Sequence, residues 1–266
     1  MKTRKMPLIC LLFLILLLSM PGSVLAAGKK SVYVLTSFSN GVSTTKLTYN
    51  RNGLLSKATI PSASFGLPAQ KLTASYTAKG LLKKVSISDF NLKHTHTFSY
   101  KSGKIAKHKW VTAYTSGGKD TLTTTYKWKG KTFTATTKNS GGTVSDTAKG
   151  KLNSKKRLVS IQNQPTGDYA GSKITYKYDA KGFLKSVSNT FELDTETVKV
   201  KNTVKKGRLT KTVKSTDPKA CTFKYKKIKV PATYAKLVQA QQSYLVNNID
   251  PYLVGWYWYH FDHPVW

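Results

Sequence analysis

The sequence predicts an all-β fold: an antiparallel meander of about seven repeated β-hairpins, forming a curled sheet or open barrel, with one short C-terminal helix and an aromatic cap. Three observations predict it. A phrase made of an aromatic residue, a short spacer, Gly and then an apolar residue two positions on recurs along the chain. Before each glycine, apolar and polar residues alternate with a period of two, the mark of a strand with one buried face. The runs are rich in Thr, Val, Tyr and Ile, which suit a pleated surface.

The phrase appears as Tyr49…Gly53-Leu54-Leu55, Tyr76…Gly80-Leu81-Leu82 and Tyr100…Gly103-Lys104-Ile105. It continues as Tyr126…Gly130, as Leu152…Lys156-Arg157-Leu158 without the glycine, as Tyr178…Gly182-Phe183-Leu184, and as Thr203…Gly207-Arg208-Leu209. The anchors Gly53, Gly80, Gly103, Gly130, Lys156, Gly182 and Gly207 are 27, 23, 27, 26, 26 and 25 residues apart. Each unit reads as one hairpin, with Gly at a turn that needs positive φ. Apolar residues then fall at Gly+2, Gly+5 and Gly+7, as in Leu82, Val85 and Ile87, and the phase change between the first two predicts a bulge or a turn-packing Leu.

The segment Tyr178-Asp179-Ala180-Lys181-Gly182-Phe183-Leu184 resembles the YD (RHS-type) repeat of large bacterial secreted and surface proteins. The resemblance extends over roughly Lys46 to Lys229, with Asp179 the one copy of the Asp. It implies a sheet of stacked hairpins. It does not imply that family's large shell, because no toxin domain or self-cleaving core is visible.

Residues 1–26 read as a secretory signal peptide. Lys2, Arg4 and Lys5 form a basic start, Leu8 to Met20 is apolar, and Val24-Leu25-Ala26 supplies small cleavage residues. The 13-residue apolar run is short for a membrane span, so no transmembrane segment is expected after signal removal. Residues 27–230 are the expected hairpin-repeat domain and 231–266 a helix plus aromatic segment. Of two cysteines, Cys10 belongs to the signal; Cys221 is expected as a buried small residue in a strand. A secreted or cell-envelope location follows.

The formal net charge is +33, from 44 Lys+Arg against 11 Asp+Glu. Solubility of a small domain needs only about 2–8. The four arginines beside forty lysines disfavour sequence-specific nucleic-acid reading, where bidentate Arg leads. One hairpin per repeat places all the glycine turns on one edge, and cations gather there. The candidate basic rim is Arg51, Lys79, Lys83, Lys84, Lys101, Lys104, Lys129, Lys131, Lys156, Arg157, Lys181, Lys206 and Arg208. The opposite connections hold Asp89, Asp120, Asp146, Asp168, Glu192, Asp194, Glu196 and Asp217. A polarised sheet is expected, its basic rim facing an anionic cell-wall or host glycan polymer such as teichoic acid. Lysines that merely solubilise the turns and discourage edge pairing are the plain alternative.

Ala232 to Asn248 lacks Gly and Pro and spaces Tyr234, Leu237, Val238, Gln241, Tyr244 and Leu245 as one helix, which Asp250-Pro251 ends. Beyond it stand Trp256, Tyr257, Trp258, Tyr259 and Trp266, read either as a cap on the sheet or as a site that docks a protein partner or stacks on sugars. His94 and His96 share a strand face, and His108 can meet them across the hairpin, so a three-His cluster is open; no fourth ligand is placed. Glu192, Asp194 and Glu196 look like a calcium or solvent-facing patch. No nucleophile elbow, zinc-protease, phosphate-loop or Cys/His motif is present. No catalytic residue, metal or cofactor is therefore assigned, and a glycan-acting enzyme is the last alternative.

Overall fold

The computed structural model describes residues 28–61, 69–164, 171–192 and 194–248. The N-terminal segment read as a signal peptide and the aromatic C-terminal segment lie outside them. Sixteen strands run in chain order: β1 (Lys29–Ser39), β2 (Thr44–Tyr49), β3 (Leu55–Ile60), β4 (Gln70–Tyr76), β5 (Leu82–Ser88), β6 (Leu92–Lys101), β7 (Lys104–Tyr114) and β8 (Lys119–Lys129). They continue as β9 (Thr132–Asn139), β10 (Val144–Leu152), β11 (Leu158–Asn163), β12 (Ser172–Tyr178), β13 (Leu184–Phe191), β14 (Asp194–Lys205), β15 (Arg208–Lys214) and β16 (Asp217–Pro231). Helix α1 (Ala232–Asn248) follows directly.

The sheet is a closed barrel, each strand antiparallel to its neighbour, with β1 joined to both β2 and β16. This corrects the expected open sheet of about seven hairpins. β1 lacks the glycine phrase, so the repeat count misses it. Its residues from Lys29 to Ser39 pair with β16 from Pro231 to Thr222, with a bulge after Leu35. That pairing supplies the missing seam. A strongly twisted meander of this length coils until its ends meet, and closure removes both open edges.

The expected bulges are present. The register shifts at Thr48/Tyr49, Ser75/Tyr76, Ser99/Tyr100 and Lys177/Tyr178, so that Tyr49 faces Leu55, Tyr76 faces Leu82, Tyr100 faces Ile105 and Tyr178 faces Leu184. The repeat's aromatic residue has a further use. Its polar end reaches back one hairpin to the carbonyl two residues past the preceding anchor: Tyr76 to Leu55 (2.7 Å), Tyr100 to Leu82 (2.8 Å) and Tyr178 to Leu158 (2.8 Å), with Trp128 taking the part in place of Tyr126 (to Ile105, 2.7 Å) and Tyr225 of β16 closing the series (to Leu209, 2.8 Å). Each of these residues lies outside the ladder to the next strand, and a buried carbonyl needs a partner.

The residue after the aromatic caps the turn. Asn50 Oδ1 accepts from the backbone N–H of Asn52 and Leu54, Thr77 Oγ1 from Leu81, Asn153 Oδ1 from Lys155 and Arg157, and Asp179 Oδ1 from Phe183. The single Asp of the Tyr-Asp phrase is thus one of several short acceptors performing the same turn chemistry.

The interior is apolar toward the glycine turns, where Leu55, Leu82, Ile105, Leu158 and Leu184 are buried in one cluster with Val85, Phe133 and Tyr176. Helix α1, about 25 Å long, lies over that rim. Ala235 and Val238 pack with Val32, Val34, Leu54 and Val230, while Leu245 and Val246 touch the two other core clusters. Amides complete its seat. Gln242 Oε1 accepts from Leu35 N–H (2.8 Å), Gln241 Oε1 from Leu55 N–H (2.8 Å) and Asn247 Oδ1 from Leu184 N–H (2.7 Å). Cys221 is buried in β16.

Candidate polyanion-binding surface

Strand alternation inside a closed barrel sends every second side chain outward. Cross-strand partners fix which ones. His108, Trp110 and Thr112 face inward on β7, so Lys107 and Lys109 face out; Tyr126 and Thr124 face inward on β8, so Lys127 and Lys129 face out. Likewise Lys149 and Lys151 flank inward Gly150, and Lys199 and Lys201 flank buried Val200. All eight lysines are exposed.

The strand carboxylates take the other face. Asp120 pairs with buried Thr112, Asp146 with Thr137, Glu196 with Asn189 on the face of Val187, and Asp194 follows the same parity. Asp217 pairs with buried Lys214, their charges 3.8 Å apart. Asp120 accepts a 2.6 Å hydrogen bond from Tyr114. Asp146 is half-buried, and that burial raises its pKa despite a hydrogen bond from Thr147 N–H. Among the described residues, then, no strand carboxylate lies on the outer wall. The wall is rich in Lys, Thr and Ser, with Tyr33, Val111 and Val213 among them, and these strand acids line the mouth far from α1.

The topology brings the glycine turns to one rim, so the predicted cations around them share it. They are not equally free. Arg51, Lys79, Lys83, Lys84, Lys101, Lys129, Lys131, Lys156, Lys181 and Lys206 are exposed. Arg157 is half-buried, donates to Ser243 Oγ of α1 (3.2 Å) and sits 5.5 Å from the Tyr178 ring centre. Arg208 lies 3.9 Å over Tyr33, and Lys104 donates to Gly130 O (2.9 Å) beside the Trp128 ring. These three have structural partners already. The helix presses on the turns of Gly53 and Gly80, whereas nothing comes within 4 Å of a β-carbon placed on Gly103, Gly130 or Gly207. The freest part of the rim therefore belongs to the β6–β9 and β14–β15 turns.

Reasoning from turns alone reached Lys129 among the wall lysines but not Lys109, Lys149, Lys151, Lys199 or Lys201. Their signal is the Lys-x-Lys pair at strand spacing, Lys107/Lys109, Lys127/Lys129, Lys149/Lys151 and Lys199/Lys201. The aromatic candidates Trp256, Tyr257, Trp258, Tyr259 and Trp266 lie outside the described residues.

Two of the three strand histidines, His96 and His108, meet inside the barrel, while His94 turns its Nδ1 to Trp110 and Thr112. His96 Nδ1 and His108 Nε2 are 3.0 Å apart. Their ring centres are 5.2 Å apart with planes 4° from parallel. A centre separation so much longer than the N···N distance means that the rings meet edge to edge in one plane through an N–H···N bond, not face to face. His94 Nδ1 accepts from the Trp110 indole (3.2 Å), which can only donate, and Thr112 Oγ1 is 3.0 Å from the same nitrogen. Neutral His94 therefore carries its proton on Nε2. Burial lowers the pKa of His94, against the pull of Asp89, and takes His96 down to about 4. Among the described residues no three His, Cys, Asp or Glu groups are placed to hold a metal ion.

The fold and surface define a class: a closed, helix-plugged antiparallel β-barrel whose outer wall is cationic and whose strand carboxylates point inward. No protein-family model matches the chain, and no curated protein matches its sequence. Solved structures that are similar include a porin-like protein from Bacteroides vulgatus ATCC 8482, at 12% identity and TM-score 0.49, covering 73% of this chain and 99% of that one. Another is a chain of the TcdB2-TccC3-Cdc42 structure, at 15% identity and TM-score 0.30, covering 69% of this chain but only 9% of that one.

Proposed function

We propose that this is an exported, non-enzymatic binding protein that holds anionic polymers of a cell envelope or host surface against its lysine-covered wall and glycine-turn rim. The observation that carries the reading is the sorting of charge. A surface arranged for solubility mixes both signs. Here the outward strand positions are dominated by lysine and hydroxyl side chains, with a few neutral residues such as Val111 and Gln162, while the strand carboxylates are turned inward. Such a single-sign field attracts polyanions and releases their counterions on contact. The basic, apolar N-terminal segment read as a signal supports export.

The same wall weighs against a lipid-embedded barrel. Lysines at mid-wall would cost about 2–4 kcal/mol each against lipid, and Lys109, Lys149 and Lys201 occupy outward strand positions. Titration of the protein with lipoteichoic acid and with heparin at several salt concentrations tests the proposal. Binding should weaken steeply as salt rises. No binding at low salt would sink it.

A further inference from the structure

Outward residues of β8, β9 and β10 form rows across the sheet. Thr132 pairs with Lys129 on one side and Lys151 on the other; Thr134 pairs with Lys127 and Lys149. Each row is Lys–Thr–Lys. Neighbouring strands lie about 4.8 Å apart, so the two lysines of a row stand about 10 Å apart at the backbone, and successive rows are about 7 Å apart along the strand. A lysine stem is long enough for the two ammonium groups of a row to converge over the threonine between them. All four lysines are exposed, and Thr134 is half-buried at the floor. The Thr132 hydroxyl already donates to Lys129 O (2.8 Å), which leaves the ammonium groups and Thr134 as the donors facing outward. Beyond the second row come Thr125, Thr136 and Thr147, paired the same way, with no carboxylate among them.

We propose that these two rows are an anion clasp that seats two successive tetrahedral oxyanions, phosphate or sulfate, of a linear polymer lying along β9. The inference rests on the polyanion reading above and gives it a place and a ligand chemistry. Four like charges gathered without an acid repel one another, and in the free protein that repulsion is relieved only by solvent and salt. A tetrahedral anion between each pair removes it. Lysine, a point charge with rotatable donors, fits a tetrahedral anion approached from two sides. A planar carboxylate is better matched by the Arg fork, which the clasp lacks. The two-row spacing selects a polymer whose charged groups recur about every 7 Å.

The test compares two variants of equal charge: K127Q/K129Q/K149Q/K151Q and, as control, the outward lysines K57Q/K71Q/K93Q/K173Q, none of them in the named rim. Binding of the full chain is measured against lipoteichoic acid, heparin and a poly-glutamate of similar length. The clasp predicts at least a 10-fold loss for the clasp variant with the phosphate or sulfate polymer, at most about a 3-fold loss for the control, and weaker wild-type binding to poly-glutamate. The salt slope should fall by about 3 for the clasp variant, from four lost contacts at about 0.7 each. Its melting temperature should hold or rise, as repulsion is removed. Which of the first two polymers binds tighter separates a phosphate from a sulfate source. Equal losses in the two variants would overturn the clasp while leaving the polyanion reading intact; failure of the wild type to bind any polymer would overturn both.

Discussion

The guanidinium of Arg157 lies against the bare α-carbon of Gly182, where a β-carbon would run into it. Gly182 also has φ +88°, and the same guanidinium contacts Tyr178 and Ser243 of α1. One arginine thus ties two neighbouring turns to the plug, and glycine is required on two counts.

Gly182→Ala should cost about 1–2 kcal/mol, roughly 1 from the left-handed backbone and the rest from moving the flexible end of Arg157 off Tyr178 and Ser243. With Arg157→Ala in place, the second part should vanish and the added cost of Gly182→Ala should fall to about 1 kcal/mol. Urea unfolding of the four proteins in this cycle measures it. Additive costs would show that the contact carries no energy.

The bonds from aromatic to carbonyl give a second expectation. Tyr76 donates to Leu55 O and accepts from Gln241 Nε2, both at 2.7 Å, whereas Tyr100 is shown with its bond to Leu82 O. Tyr76→Phe should therefore destabilise by about 2 kcal/mol and Tyr100→Phe by about 1. Burial raises the pKa of both phenols, and takes Tyr178 to about 12. A raised folded-state value means stabilisation that is complete below the unfolded pKa near 10 and is lost as pH rises through 12. Ultraviolet titration should show these tyrosines ionising only as the barrel unfolds.

Much of this was legible in the repeat. Turn glycines, period-two runs, the Gly+2 bulge and the helix bounds all follow from local chemistry. Closure does not, because it depends on β1, whose Val32, Val34 and Phe38 alternate around a bulge and carry no turn phrase. The site was half legible for the same reason. Turns announce themselves by glycine, so the rim lysines were visible. The wall lysines become a surface only once the register sets Lys127 and Lys149 on either side of Thr134. The use of Arg157 as a strut was hidden, since its partner Ser243 lies 86 residues away.

The His96–His108 pair sets the acid limit. An N–H···N bond between two imidazoles tolerates one proton fewer than two imidazolium ions bring, and burial takes His96 to about 4. A depressed histidine value means stabilisation present above the unfolded pKa near 6.5 and lost as pH falls toward 4, worth up to about 3 kcal/mol. Asp89 pulls the pKa of neighbouring His94 upward and so offsets part of the burial penalty on that ring. Denaturant melts from pH 7 to 4 should lose stability over that window, and His96→Phe should flatten the slope. An unchanged slope in that variant would assign the acid sensitivity elsewhere.

Helix α1 offers the least intuitive expectation. Its barrel-facing side carries Gln241, Gln242 and Asn247 where an apolar stripe would be usual, and all three are buried. Gln242→Leu makes that face more hydrophobic, and by area alone it should stabilise. It also removes the acceptor for Leu35 N–H, at the bulge where β1 leaves its ladder register, and the donor to Tyr49 Oη. An orphaned buried N–H costs about 1–3 kcal/mol, which cancels or exceeds the gain from a side chain already packed. The variant should therefore be less stable, and hydrogen exchange should show the Leu35 amide losing protection while the β8–β9 amides keep theirs. If Leu35 stays protected, the plug is held by its apolar contacts with Val32, Leu54 and Val230 and not by its amides.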